Sequence, residues 1–135
     1  MLETIFGIVA GMAIIIVTIL LSKQVPAKLI GATTLCAIAF IYVGFSLQNN
    51  TIQSAVLEIS IALGFFALGV IGYMKHHWLI GLGILLHGVW DILHHNEVMI
   101  ETTIPSYYPV FCLIVDLISG VYFVLIFRKP LAANN

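Results

Sequence analysis

Five apolar stretches, each close to the length that crosses a lipid bilayer, constrain what this chain can become. They lie near Leu2 to Leu21, Lys28 to Leu47, Ile52 to Met74, Trp78 to His95 and Tyr108 to Phe127. A hydrocarbon core of about 30 Å takes roughly 20 residues of α-helix, and inside it every backbone amide must find its partner within the segment. With 61% of 135 residues hydrophobic, 8% charged and a mean hydropathy of +1.14, the chain has too few polar groups to clothe a soluble domain. The expected fold is an all-α integral membrane protein, one domain over residues 1–135, built as a five-transmembrane-helix up-and-down bundle.

Short connections support that topology. Ser22 to Ala27 with Pro26, Gln48 to Thr51 with Asn49 and Asn50, and Lys75 to His77 suit tight links between antiparallel neighbours, and only Asn96 to Tyr107 is longer. The first stretch reads as a retained span rather than a secretory signal, because its leading charge is Glu3 and Lys23 follows the apolar run. Five spans collect Lys23, Lys28, Lys75, Arg128 and Lys129, every basic residue of the chain, on one side, with Glu3, Glu97 and Glu101 on the other. The positive-inside rule then places the N-terminus outside and the C-terminus in the cytoplasm, in a plasma or inner membrane. A net charge of −1 with no basic cluster beyond Arg128 and Lys129 excludes nucleic acid as a partner. Gly7 and Gly11 would let a second helix approach closely, within the chain or in a homodimer, or are two glycines without a partner. Cys36 and Cys112, both inside apolar runs, read as small buried hydrophobes.

Chemistry concentrates in HGVWDILHH, His87 to His95. At 100° per residue with His87 at zero, Asp91 falls near 40°, His94 near −20° and His95 near 80°, so all four share one helix face. In the five-span topology His94 and His95 lie at the outer end of the fourth span, with Asp91 about 6 Å and His87 about 12 Å below His95. Asp116 on the fifth span comes to about 12 Å depth and Glu58 on the third to about 9 Å. Three helices thus deliver six ionisable groups to one slab in the outer half of the bilayer. Asp at a helix centre costs roughly 2.5 to 3.5 kcal/mol on insertion scales, which nearly cancels what the apolar residues of this span return.

Histidine at i, aspartate at i+4 and histidine at i+7 present three ligands to one coordination sphere. His87, Asp91, His94 and Asp116 are the candidate metal ligands, Asp116 as fourth ligand or as the carboxylate that orients a ligating histidine. Zinc is the expected metal, with iron or manganese fitting a carboxylate-rich two-metal site. Glu58 and His95 are the candidate catalytic groups, Glu58 as general base or as support for a ligand. Against this stands a bland account: an intramembrane Asp or His is often interhelical glue, and His95, Glu97 and Glu101 also fit a solvated rim. His76 and His77 read as an interfacial pair, and Trp78, Tyr107, Tyr108 and Tyr122 as belt aromatics.

HGVWDILHH followed by IPSYYPVFCLIVD, Ile104 to Asp116, resembles the small integral membrane proteins called domain of unknown function 6010. The resemblance covers about the last third of the chain. It implies that His87, Trp90, Asp91, His94, His95, Pro105, Ser106, Tyr108, Pro109 and Asp116 form one unit, and it names no reaction. In chemistry alone the cluster is also similar to membrane-embedded zinc hydrolases such as the alkaline ceramidases, with fewer spans and all three histidines on one helix. These readings point to a metal-dependent hydrolase of a lipid-like or amphipathic substrate, the membrane lipid being its surroundings and source. The alternatives are a metal-ion or proton transporter or sensor, and a structural subunit.

Overall fold

Five α-helices form in the computed structural model, which describes residues 1–49, 51–95 and 103–128: α1 Leu2–Leu21, α2 Ala27–Asn49, α3 Ile52–Met74, α4 Trp78–His94 and α5 Tyr108–Arg128. Each begins and ends within two residues of its apolar stretch, and the described residues contain no strand. Glu97, Glu101 and Lys129 lie outside the described residues. Thr51 caps α3, its side chain accepting from the Ser54 amide at 3.1 Å. At the other end of that helix His77 Nδ1 stands 2.9 Å from the Gly72 carbonyl, so its N–H donates to a terminal oxygen that the helix leaves free.

Four helices, α1, α2, α3 and α5, are long and apolar enough to cross a membrane. With 17 residues, α4 reaches only about 26 Å at 1.5 Å per residue. It stops after His94 because His95 turns to an extended conformation, φ −67° and ψ 121°. This shortest helix is the centre of the molecule. Ile80, Gly81, Gly83, Ile84, His87, Gly88, Asp91 and His94 are buried on it, against only Gly7, Gly11 and Thr18 on α1. Phe6, Val9, Ile16 and Leu20 of α1 and Val56, Leu63, Phe66 and Val70 of α3 are exposed instead. So broad an apolar surface is foreign to a soluble monomer and is what lipid contact requires.

Packing does not follow chain order. α5 lies between α4 and α1, α4 also contacts α3 and α2, and the consecutive pair α1 and α2 touch little. Small residues make the close seams. A Cβ on Gly81 would stand 2.8 Å from the Gly120 carbonyl oxygen and 2.7 Å from Val124 Cγ2 of α5, and one on Gly88 would stand 3.4 Å from Asp116 Cβ. Gly7 and Gly11 face α5, where an added Cβ would meet Ile114 Cβ at 2.8 Å and Ile118 Cβ at 3.0 Å. The glycine pair is therefore spent inside the chain, and a homodimer through it would have to displace α5.

Gly7→Ala is expected to destabilise the bundle by about 1 to 3 kcal/mol, the cost of forcing a methyl into a packed seam. Gly44→Ala, where an added Cβ meets nothing within 4 Å, serves as the control. Thermal unfolding of both variants in detergent checks this; equal midpoints would mean that α1 is not held by this seam.

Candidate metal centre

Two helix faces meet to build the cluster. His87 and Asp91 stand one turn apart on α4, and Cys112 and Asp116 stand one turn apart on α5, which runs beside it. Gly88 lies at this seam, where an added Cβ would touch the Leu113 side chain at 3.3 Å and Asp116 Cβ at 3.4 Å. His87, Asp91 and Asp116 are wholly buried and Cys112 nearly so. One ligand atom from each lies within 4.8 Å of the others. His87 Nδ1 is 2.7 Å from Asp116 Oδ2 and 3.8 Å from Asp91 Oδ1. From α2, the Tyr42 hydroxyl donates to Asp91 Oδ1 at 2.7 Å.

Those bonds leave His87 Nε2, Asp91 Oδ2 and Asp116 Oδ1 buried without a hydrogen-bond partner. An unmet buried polar atom costs about 1 to 3 kcal/mol, more when charged, so three on the residues of one cluster need an account. Two buried carboxyl groups side by side are held either by a shared proton or by positive charge beside them. A single divalent cation meets both needs, balancing two aspartates and drawing on the unused donors. Tetrahedral zinc at 2.0 to 2.3 Å from its ligands sets them roughly 3.3 to 3.8 Å apart. The observed spread is therefore about an ångström from closing on an ion.

The remaining candidates divide into a pair and a single residue. Glu58 of α3 is buried and faces α4: His94 Nε2 lies 2.7 Å from Glu58 Oε1, and Trp90 Nε1 donates to Oε2 at 3.2 Å. His94 Nδ1 is 3.0 Å from the Trp90 carbonyl, which only accepts, so that nitrogen carries hydrogen. One proton then lies between His94 Nε2 and Glu58, and the pair is neutral overall whichever partner holds it. The Tyr42 ring covers His94 at 4.3 Å between centroids. His94 thus stands with Glu58 and outside the group that gathers His87, Asp91, Cys112 and Asp116.

His95 lies beside Asp91 on a cavity of about 220 Å³ lined by Asp91, Ile92, His95, Pro109, Val110 and Leu113. Its Nδ1 is buried and makes no hydrogen bond.

Sequence reasoning gave Tyr42 no role and read Cys112 as an apolar residue and Tyr108 as a belt aromatic, although the family resemblance grouped Tyr108 with the cluster. Cys112 precedes Asp116 by four residues, the spacing that ties His87 to Asp91, and Tyr108 precedes Cys112 by the same step. That row along α5 was the signal for both. Tyr108 is half-buried, its ring 5.9 Å from Tyr42 and its hydroxyl 3.8 Å from Cys112 Sγ. It therefore belongs to the centre's surroundings, as the resemblance implies. For Tyr42 no pattern in α2 marks the residue; only the packing of α2 against α4 brings it to Asp91.

Fold and cluster together define a helical membrane protein with a buried His/Asp/Cys centre that could hold a metal ion. Over residues 2–129 the chain matches the family of unknown function DUF6010, and it belongs to that family. The match spans nearly the whole chain, well beyond the motif in its last third. No curated protein and no solved structure matches it.

Proposed function

We propose that this chain spans the membrane five times, with its N-terminus outside and its C-terminus in the cytoplasm, and holds one zinc ion in the outer half of the bilayer on His87, Asp91, Cys112 and Asp116. The observation that carries this reading is the gathering of one imidazole, two carboxyl groups and a thiol, all buried, with a ligand atom of each within 4.8 Å of the others. An imidazole, two carboxylates and a thiol are a donor set suited to zinc, whereas iron and manganese sites of the carboxylate type do without the sulfur. α4 serves as the fifth span because 17 residues is the lower limit for crossing, roughly 17 to 25. The orientation draws on the basic end: Lys28 Nζ sits 4.8 Å above the Tyr73 ring, bringing the start of α2 and the end of α3 to one side. A plasma or inner membrane is the setting this implies.

Bound there, zinc supplies Lewis acidity for hydrolysis of a small lipid-like substrate. His95 is the group placed to move a proton, since its free Nδ1 shares a cavity with Asp91 whose other walls are apolar. Glu58, with both oxygens engaged by His94 and Trp90, holds that histidine in place. Leu35, Ile80, Ile84 and Phe123 close the inner side without a polar atom in their side chains, and Thr18 and Ser119 give their hydroxyls to their own helices. None of these inner residues is a carboxylate or a histidine, which favours a retained ion over a transported one.

Plasma mass spectrometry on tag-free protein in detergent tests the reading. About one zinc per chain is expected in the wild type, lost in His87→Ala and Asp116→Ala and weakened in Cys112→Ser. Protein without metal in all forms, indifferent to added zinc in thermal unfolding, would overturn it.

A further inference from the structure

A second cavity, of about 470 Å³, opens between α1 and α5 at the end of the bundle where α1 begins. Phe6 and Val9 of α1 and Phe111 of α5 form its apolar floor, and Glu3, Tyr107 and Tyr108 stand at its head. From Glu3 to Ala10 it follows α1 for about 10 Å, parallel to the helices and so to the membrane normal. The Glu3 carboxylate already attracts an ammonium group, the amino group of Met1 at 3.3 Å, and its side chain is about one-third exposed. We infer that this groove binds a single-chain amphiphile, its tail on Phe6, Val9 and Phe111 and its hydrogen-bond-donating head, an amine or hydroxyl, at Glu3.

Three observations favour that occupant over ordinary boundary lipid. The polar group sits at the outer end only, as in a molecule that keeps its head at the interface. A volume near the lower part of the range for small-molecule pockets, about 300 to 1,000 Å³, suits one chain rather than a two-chain phospholipid. Tyr108, finally, is shared: it lines the groove, yet its hydroxyl is 3.8 Å from Cys112 Sγ and its ring 5.9 Å from Tyr42, which holds Asp91. Tyr108 therefore touches both the groove and the cysteine of the cluster. This deepens the hydrolase reading by naming the substrate's class and its side of approach, while binding in the groove stands without any metal.

Photolabelling of the full chain in phosphatidylcholine vesicles tests the proposal, using a long-chain primary amine with a mid-chain diazirine and the matching fatty acid as control. Label is expected on the α1 and α5 peptides that carry Phe6, Val9 and Phe111, and more from the amine than from the acid. Val9 is 60% exposed, so Val9→Trp fills the groove from its open side with little load on the α1–α5 seam. It should reduce labelling about tenfold, the effect of roughly 1.4 kcal/mol, with an unchanged melting temperature. Glu3→Gln should reduce labelling by the amine and spare labelling by the acid. Equal labelling of wild type and Val9→Trp, or label spread evenly over all lipid-facing helices, would overturn the site; indifference to Glu3→Gln would overturn the assignment of the head. Zinc measured on the same samples separates the two readings: labelled groove without metal removes the hydrolase and leaves the groove, and metal without label does the reverse.

Discussion

Gly81→Ala is expected to cost the bundle about 3 kcal/mol or more, a large share of the roughly 5 to 15 kcal/mol that holds a typical protein folded. The new Cβ would meet the Gly120 carbonyl oxygen at 2.8 Å and crowd the Val124 amide, and both are backbone atoms of a helix that has no rotamer to offer. Only separation of α4 from α5 relieves the clash, and that separation pulls Asp116 away from His87. Stability and the His87–Asp116 contact should therefore fail together. Gly64→Ala provides the contrast: its Cβ meets nothing within 4 Å, and exchange of Gly for Ala in a helix gains up to about 1 kcal/mol of propensity. Unfolding of both variants in mixed micelles reads the difference. A Gly81→Ala protein as stable as wild type would mean that α4 and α5 do not pack this closely.

Glu58→Leu is the second large effect, expected near 3 kcal/mol. An ordinary intramembrane hydrogen bond is worth about 0.6 kcal/mol, so loss of one bond would not produce it. The larger figure comes from what stays behind: His94 Nε2 and the Trp90 indole both lose their partner in a buried setting, and removing one member of a buried pair typically costs about 3 to 5 kcal/mol. His94→Phe added to Glu58→Leu should recover most of the loss, because the orphaned imidazole goes with it. Glu58→Gln, which keeps an acceptor for either neighbour, should cost about 1 kcal/mol. A double variant no more stable than Glu58→Leu alone would refute the pair as a unit. Zinc content should be unchanged in all three, since Glu58 and His94 stand apart from the cluster.

Legibility in the sequence differed sharply between helices and site. Helix limits were readable because each apolar run has its own punctuation: Pro26 near the start of α2, Thr51 as the cap of α3, and the break between α3 and α4 at Lys75 to His77. His87, Asp91 and Asp116 were readable as partners because helical spacing and depth are one-dimensional quantities, computed along a single chain direction. His94 satisfied the same arithmetic on the same face, yet stands with Glu58 on the side of α3. A face about 100° wide has two edges, and only the positions of the neighbours decide which edge meets which helix. Cys112 was read as an apolar residue because its run is apolar, although its four-residue step from Asp116 repeats that of His87 and Asp91.

What the sequence determined by itself is therefore the length and limits of each helix, since these follow from hydropathy and capping along the chain. It also determined that polar groups would crowd one level of the bundle. The tertiary structure decided the lateral arrangement: α5 between α1 and α4, Gly7 and Gly11 committed to α5, Tyr42 brought to Asp91, and the ionisable set divided between a His/Asp/Cys cluster and a Glu58–His94 pair. The reason is physical. Crossing a bilayer is a property of each helix alone, whereas which faces meet depends on small residues of two helices fitting at once, and that complementarity is not written in either segment by itself.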